Sequence, residues 1–305
     1  RCAGRQIGMT AVAVLRRAGR SDGVSGWALV SPAAILIGIF GLLPVLMSLQ
    51  LSFQKSDLLT PETPWVGFDN YRKLAGDPVF VEAIKHTIVY TVLFVPGTML
   101  VGLFVAAALN RSVRFISVYR TAAYITMAVS TISQGIIFLW LTDRDYGLVN
   151  AALNAVGAPS QPFLASPSQA LYVIVAMTIW GWTGFAVIVY LAALQGVPVE
   201  LHEAAMIDGA SAFTRFRTIT VPLLGPANLF LVVWLTINAL QLFDEVFVTT
   251  RGGPLRATTV IVYYLWDRAF VQFDAGYAAA MAYALFVVIL LITAVQFRLA
   301  RKRTS

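Results

Sequence analysis

Charged residues are scarce in this sequence. Of its 305 residues only 12% are Asp, Glu, Lys or Arg, whereas an ordinary soluble domain has about 25%. Hydrophobic residues make up 58% of the chain, and the mean hydropathy is +0.76. This composition indicates an integral membrane protein and argues against a disordered, secreted or nucleic-acid-binding chain.

Residues for metal, redox and nucleotide chemistry are equally few. The single cysteine, Cys2, excludes an intramolecular disulfide and a cysteine metal cluster, and the two histidines, His86 and His202, cannot build a His-rich site. None of the four lysines follows a glycine, so the phosphate-binding pattern GxxxxGK[ST] is absent. The sequence therefore predicts a non-enzymatic chain with no metal and no cofactor of its own.

Long charge-free stretches lie between the charges, at 23–54, 86–110, 121–142, 146–199, 218–243 and 275–297. A membrane-spanning helix needs about 20 apolar residues. The fourth stretch opens with several turn-forming residues, which leaves room for one helix in it. The sequence thus predicts an all-α membrane protein with six spanning helices, at about 27–53, 86–109, 119–141, 169–195, 223–243 and 275–297.

The distribution of basic residues predicts the orientation of these spans. With the N-terminus inside, the inner segments hold 14 basic and 4 acidic residues, and the outer segments hold 8 and 11. Because Lys and Arg are enriched in cytoplasmic loops, we expect a basic cytoplasmic N-terminus at 1–25 and a basic cytoplasmic tail at 298–305. The net charge of +7 is therefore an orientation signal. The first apolar run is longer than the core of a signal peptide, so we expect it to be retained.

The inner segment 196–222 has the pattern of a short surface helix. Pro198 stands where a helix begins, Glu200 and Glu203 fall in the first turns, and Gly209 can end the helix in a left-handed conformation. A helix of about ten residues is about 15 Å long and cannot cross a bilayer. Its apolar and small residues suit either the groove of a cytoplasmic partner or a surface of lipid headgroups.

The outer segments 54–85, 142–168 and 244–274 are too short to form an enzyme domain. Their acidic residues and the aromatic side chains Trp65, Phe68 and Tyr71 suit the docking of a soluble partner. Plain solvated connectors of this length are equally compatible with the pattern.

Four separated motifs resemble one transporter family. Residues 203–210 (EAAMIDGA), followed by 219–222 (ITVP), resemble the EAA loop of permease subunits of bacterial ABC importers, in the MalF/UgpA-type carbohydrate-uptake branch. Residues 66–71 (VGFDNY), 146–150 (YGLVN) and 243–254 (FDEVFVTTRGGP) are similar to the same pattern. Within this branch the sequence resembles UgpA-type subunits for glycerol phosphates or glycerophosphodiesters such as glycerophosphocholine, with a mycobacterial source expected.

The resemblance implies the type I ABC importer permease fold, in the plasma (inner) membrane, working by alternating access. It also implies four partners: a second, homologous permease that completes a heterodimer, two cytoplasmic ATPase subunits that bind ATP and Mg, and an extracytoplasmic solute-binding protein. The residues expected to couple to the ATPase are Glu203, Ala204, Ala205, Met206, Asp208, Gly209, Arg215 and Pro222. An acid near a helix start also stabilises the helix dipole, so a purely structural role for Glu203 stays open.

Polar and aromatic residues in or beside the predicted spans are the candidates for a solute path. Polar groups at membrane depth are costly and often functional, and aromatic rings stack on sugars or choline-like groups. The candidates are Gln134, Trp140, Trp180, Trp182, Asn238, Gln241, Asp244 and Glu245. Alternatively, the tryptophans are interfacial or core residues and the amides bond neighbouring helices.

Two other classes of membrane protein fit the sequence less well. An ion-coupled secondary transporter, the main alternative, needs an acid or a histidine in mid-span, and the charge-free stretches contain no acid. An intramembrane hydrolase needs a Ser/His or paired-Asp arrangement inside the spans, which is missing. The sequence therefore predicts the permease subunit of an ATP-driven importer for a small polar solute: a sugar, a glycerol phosphate or a glycerophosphodiester.

Overall fold

A computed structural model of the chain describes residues 27, 29–57, 62–110 and 115–304. The predicted basic segment at 1–25 lies outside these residues. The structure is 78% helical, and within the described ranges its only extended pairings are two isolated bridges, Gln54 with Trp65 and Asp57 with Asp274. The predicted all-helical class is confirmed.

The helices have the following bounds in chain order: α1 Leu29–Ser52, α2 Asp69–Gly76, α3 Pro78–Leu109, α4 Ile116–Ala128, α5 Thr131–Leu141, α6 Leu148–Ala155, α7 Ala170–Gln195, α8 Val199–Ile207, α9 Ala212–Leu223, α10 Gly225–Leu240, α11 Asp244–Thr249, α12 Ile261–Trp266 and α13 Ala275–Thr304. Helices α1, α3, α7 and α13 are each long and apolar enough to cross a membrane. The pairs α4/α5 and α9/α10 meet this condition only together, and they are bent by 99° and 65°. By length and composition, the described residues therefore contain four helices able to span a membrane, or up to six spans if each bent pair is one span.

Helix α3 begins before the predicted start near residue 86. The Asp77 carboxylate accepts hydrogen bonds from the backbone N–H groups of Val79 (2.9 Å) and Phe80 (3.3 Å), which is the geometry of a helix N-cap. The first turns of α3 thus include Glu82 and Lys85. At 32 residues the helix is about 48 Å long, so it extends beyond a hydrocarbon core of about 30 Å.

Two predicted spans are interrupted. In the predicted helix 119–141, Val129 is extended (φ −78°, ψ 124°), and Ser130 caps a new helix by accepting a bond from the Ser133 N–H. In the predicted helix 223–243, α10 ends at Leu240, and Phe243 (φ −142°, ψ −60°) precedes the start of α11. Both breaks place non-helical backbone between apolar helices, which a membrane tolerates only where protein or a cavity covers it.

Helices α3 and α7 form the centre of the bundle and run in the same direction. Gly97 lies against Ile179, and Gly102 lies against Ala186 further along both helices. A Cβ added at Gly102 would lie 2.5 Å from the Ala186 Cβ, so glycine permits this close approach. The parallel course places the beginnings of α3 and α7 at one end of the bundle, and it places α8 at the opposite end.

The first of these ends, which we call the loop end, is held together by long-range polar contacts. The Asn70 amide donates to the carbonyls of Ser52 (2.9 Å) and Gln54 (3.0 Å), which fastens α2 to the end of α1. Lys73 pairs with Asp274 at 2.7 Å, which ties α2 to the start of α13. Segments far apart in the sequence therefore form one structured surface at this end.

Candidate functional site

A cavity of about 220 Å³ lies where α3, α5 and α7 meet the break between α10 and α11. We call it the inner cavity. It is lined by Tyr90, Phe94, Thr131, Trp182, Asn238, Gln241, Leu242, Phe243, Asp244 and Glu245. Pockets for drug-sized ligands usually measure about 300–1,000 Å³, so this chain encloses room for only part of such a ligand.

Aromatic rings form much of the cavity wall. Tyr90 stacks on Phe94 with ring centroids 5.2 Å apart, and Phe94 meets Trp182 edge to face at 6.3 Å. Phe243 stacks on Phe247 at 5.3 Å. These packed rings position flat apolar faces beside the polar groups of the cavity, an arrangement that suits the ring of a sugar.

The break after α10 supplies the polar side of the cavity. The Asn238 amide donates to the Trp234 carbonyl at 2.8 Å, so its side-chain oxygen is left to accept a bond. Gln241 is exposed in the break, and its amide has no hydrogen-bond partner among the described residues. Two amides with unused hydrogen-bonding capacity therefore face the cavity, where they can bond hydroxyl groups.

Two carboxylates complete the lining. Asp244 and Glu245 stand in the first turn of α11. Neither has an ion pair within the described part of the chain, and no Lys or Arg lines the inner cavity. The inner cavity thus has an acidic lining without a basic residue.

Five of the eight residues predicted for the solute path line the inner cavity: Trp182, Asn238, Gln241, Asp244 and Glu245. The other three lie elsewhere. Gln134 is buried and donates to the Val129 carbonyl at 2.9 Å, so it stabilises the break before α5. Trp140 is 69% exposed, and Trp180 packs on Phe138 at 5.9 Å.

Sequence reasoning missed four polar or aromatic residues of the lining: Tyr90, Phe94, Thr131 and Phe243. Tyr90 and Phe94 are four residues apart and hence on one face of α3, but that spacing is equally typical of a core face. Phe243 is the first residue of the motif at 243–254, and this motif could have identified it as a candidate. Nothing local distinguished Thr131, because only the bend before α5 brings it to the cavity.

Helix α8, which overlaps the motif that resembles the EAA loop, lies at the end of the bundle opposite the loop end. Pro198 is its N-cap and not its first residue. Gly209 has φ +76°, a left-handed conformation that favours glycine. The N–H groups of Gly209 and Ala210 bond the carbonyls of Met206 (3.0 Å) and Ala205 (2.9 Å), which closes the helix end.

The surface of α8 is exposed although much of it is apolar. Ile207 is 88% exposed and Met206 51%. Glu203, Ala204 and Asp208 are also exposed, Ala205 is half-buried, and neither acid has an ion pair in the described ranges. No side chain of the described residues caps the start of α8, so Glu203 has no capping hydrogen bond there.

Arg215 and Pro222 were also predicted for coupling, and both lie in the segment that joins α8 to the bundle. The Arg215 guanidinium donates to the Ala210 carbonyl at 2.7 Å and so holds the turn that follows α8. Pro222 lies near the end of α9, beside the 65° bend into α10. Both residues therefore position the segment between α8 and the bundle.

The other motifs of the resemblance have structural tasks at the loop end. Asn150 is 2% exposed and bonds the backbone at Asp143 and Gln161. In the motif at 243–254, the Gly253 carbonyl accepts a bond of 2.8 Å from the fully buried Thr258, and the Thr250 hydroxyl lies 2.7 Å from the same side chain. Buried polar side chains with satisfied bonds of this kind specify the loop conformations.

Residues 98–305 match the family described as "Binding-protein-dependent transport system inner membrane component". The lactose transport system permease protein LacF of Rhizobium radiobacter is 35% identical over 286 residues, which cover 92% of this chain and 95% of LacF. The sn-glycerol-3-phosphate transport system permease protein UgpA of Agrobacterium fabrum is 33% identical, with 90% of this chain and 94% of UgpA covered.

Two solved structures are similar in fold. One is a bacterial ABC transporter involved in the import of the acidic polysaccharide alginate, with a TM-score of 0.84, 25% identity, and coverage of 95% of this chain and 99% of that chain. The other is a bacterial alginate ABC transporter in complex with alginate pentasaccharide-bound periplasmic protein, with a TM-score of 0.82, 24% identity, and coverage of 94% and 96%. The predicted importer permease fold is confirmed.

Proposed function

Since this chain belongs to the family of binding-protein-dependent transport system inner membrane components, we propose that its helix bundle moves a small hydroxylated solute into the cell by alternating access, driven by a separate ATPase. The chain is a permease subunit of an ABC sugar importer. The identity of the solute belongs to the proposal: a sugar, a glycerol phosphate or a glycerophosphodiester such as glycerophosphocholine. The relatives named for lactose and for sn-glycerol-3-phosphate support this range.

The exposed surface of α8 is the observation that carries the proposal. Apolar side chains such as Ile207 and Met206 stand exposed on a nine-residue helix, and the neighbouring Ala204 and Ala205 permit close approach of another surface. Burial of exposed apolar area stabilises an interface by about 25 cal/mol per Å². We propose that the ATPase covers this surface, with Glu203 and Asp208 orienting the helix in its groove.

The inner cavity supports the solute part of the proposal. Its aromatic rings would stack on a sugar ring, while Asn238, Gln241 and the two carboxylates would bond hydroxyl groups. Because the cavity measures about 220 Å³, a homologous second permease would complete the path. The exposed surface of α1, whose apolar window has no buried residue, is available for that partner and for lipid.

The proposed assembly places α8 in the cytoplasm and the loop end outside, with both termini cytoplasmic. It contains two permeases in a heterodimer, two ATPase subunits that bind ATP and Mg, and a solute-binding protein that delivers the solute to the loop end. The alginate transporter was solved with its periplasmic protein, which supports a binding protein as partner here. The membrane is the inner membrane, as the family description states.

The test is substitution of Gly209 in the purified complete transporter. Gly209→Val forces a β-branched residue into a left-handed conformation, so α8 should end differently and both uptake and solute-stimulated ATP hydrolysis should fall at least about tenfold, equivalent to 1.4 kcal/mol. Unchanged uptake and stimulation in Gly209→Val would contradict the role of α8.

Gly157→Val is the matched control. Gly157 has φ +79° and open space around its Cα, as Gly209 does, but it lies on the loop between α6 and α7. The same backbone strain there should leave the coupling of hydrolysis to uptake intact. Transport driven by an ion gradient without ATP would contradict the importer proposal as a whole.

A further inference from the structure

A second cavity, of about 210 Å³, lies at the loop end between the start of α3, the loop 250–259 and α12. We call it the outer cavity. Its polar lining consists of Arg251, Arg256, Thr259, Tyr263, Tyr264 and Asp267, together with loop backbone. None of these residues belongs to the inner cavity or to α8.

The loop that presents the two arginines is held in one conformation. Arg251 (φ 50°) and Arg256 (φ 65°) both adopt the left-handed region, which non-glycine residues occupy only where surrounding contacts hold them. The Arg251 N–H bonds the Val246 carbonyl at 2.7 Å, and the Arg256 carbonyl accepts from the Thr259 N–H at 3.0 Å. His86 of α3 in turn contacts the Thr259 carbonyl at 3.0 Å.

The two guanidinium groups are unpaired. Within the described part of the chain, neither Arg251 nor Arg256 has a salt bridge or a side-chain hydrogen bond. Asp267 is the one acid in the lining, and it already accepts a bond from Gln272 at 2.6 Å. Two cations against one carboxylate form a set of donors for an oxyanion. The Thr259 and Tyr264 hydroxyls already donate to the Gly252 carbonyl at 3.1 Å and to Asp77 at 2.6 Å, so the two guanidinium groups supply the free donors.

The inner cavity differs from the outer cavity in its charged residues. Its lining has Asp244 and Glu245 and no Lys or Arg. The two unpaired arginines lie at the loop end instead, where a protein outside the membrane can reach them. An acidic side chain of such a protein meets Arg251 and Arg256 without entering the inner cavity.

We propose that the outer cavity is a docking socket for a carboxylate side chain of the solute-binding protein, held by the forked guanidinium groups of Arg251 and Arg256. The inference rests on the proposed function, because it assumes that a binding protein reaches the loop end. A volume of about 210 Å³ suits the end of one side chain and is below the usual range for a whole ligand.

The experiment measures binding of the solute-loaded binding protein to the complete transporter in nanodiscs. Arg251→Gln and Arg256→Gln should each weaken this binding about fivefold, and the double variant should weaken it about twentyfold or more. Higher salt should weaken the wild-type complex more than the complex of the double variant. Salt screens the attraction between the guanidinium groups and the carboxylate, which the double variant lacks. Binding of the double variant within twofold of wild type would overturn the proposal.

Arg144→Gln is the matched control. Arg144 is another exposed arginine of the loop end that does not line the outer cavity, so its loss should change binding less than twofold. An equal loss in Arg144→Gln would mean general electrostatic attraction and would overturn the socket.

A free carboxylate in solution is the other source of an oxyanion, and glucuronate added to the transporter without binding protein tests it. The proposal would also be overturned if glucuronate binding requires Arg251 and Arg256 while the double variant binds the binding protein as tightly as wild type does.

Failure of the inference is distinguishable from failure of the proposed function. At saturating binding protein the double variant should still hydrolyse ATP in response to solute, because Arg251 and Arg256 touch neither α8 nor the inner cavity. If wild-type transporter shows no binding-protein-dependent ATP hydrolysis, the proposed function fails. If wild type responds and the double variant binds normally, only the socket fails.

Discussion

The Tyr264 hydroxyl donates a 2.6 Å hydrogen bond to Oδ2 of Asp77, a residue 187 positions earlier in the chain. The Tyr277 hydroxyl donates to the same oxygen at 2.7 Å. Burial and the bond to Asp77 raise the pKa of Tyr264 to about 12, so its hydroxyl stays protonated and donates. One nearly buried carboxylate thus joins the start of α3 to α12 and α13 at the loop end.

Substitution of Asp77 should destabilise the protein in a pH-dependent way. Burial alone raises the pKa of Asp77, but hydrogen bonds from Tyr264, Tyr277 and the backbone at 79–80 lower it below its ordinary value. A lowered native pKa stabilises the fold above the unfolded pKa of about 3.9, and this stabilisation is lost as pH falls through the native pKa. Asp77→Asn should therefore cost about 1–3 kcal/mol at pH 7, and the difference from wild type should shrink below about pH 4.

Thermal melting of the detergent-purified protein at several pH values measures this effect. Asp69→Asn is the control, since Asp69 forms only an exposed ion pair with Arg72 at 3.0 Å, of the kind that contributes about 0–1 kcal/mol. Equal melting temperatures of Asp77→Asn and wild type at pH 7 would contradict the prediction.

The contact between Gly102 and Ala186 should tolerate no added methyl group. In Gly102→Ala the new Cβ would lie 2.5 Å from the Ala186 Cβ, so α3 and α7 must separate, at a cost of about 1–3 kcal/mol. Gly38→Ala in α1 meets nothing within 4 Å and should be neutral or slightly stabilising, because alanine favours helix. The melting temperature of each variant is measured against wild type. An equal change in both variants would show that α3 and α7 do not meet this closely.

Loss of the Gln241 amide should reduce transport without affecting the fold. The side chain lines the inner cavity, is exposed and has no hydrogen-bond partner among the described residues, so Gln241→Ala removes no internal contact. We expect initial uptake to fall about fivefold to tenfold, equivalent to about 1–1.4 kcal/mol of lost hydrogen bonding.

Uptake of radiolabelled solute into cells, with expression and melting temperature checked in parallel, measures the effect of Gln241→Ala. Gln50→Ala is the control, because Gln50 is an exposed amide on α1 away from the cavity. Wild-type uptake in Gln241→Ala, or the same loss of uptake in Gln50→Ala, would show that Gln241 is not part of the solute path.

Local features predicted the membrane class and the approximate places of the helices. Hydropathy is a sum over neighbouring residues, so apolar stretches such as those of α1, α7 and α13 are visible without any tertiary information. The ends of the helices were harder to predict from the sequence. The start of α3 depends on the Asp77 cap and not on the last charge before the apolar run, and the end of α10 depends on the packing around Phe243.

The sequence by itself determined that this protein is an all-helical membrane protein with a glycine able to end α8, because apolar length, charge asymmetry and backbone preference act over a few residues. Only the tertiary structure decided which polar residues share a cavity. Trp182 and Gln241 meet there, whereas Gln134 and Trp140 do not, because the bends at Val129 and Phe243 redirect the chain. The separation of Asp244 and Glu245 from Arg251 and Arg256 into two cavities likewise follows from contacts between distant segments, which no local pattern encodes.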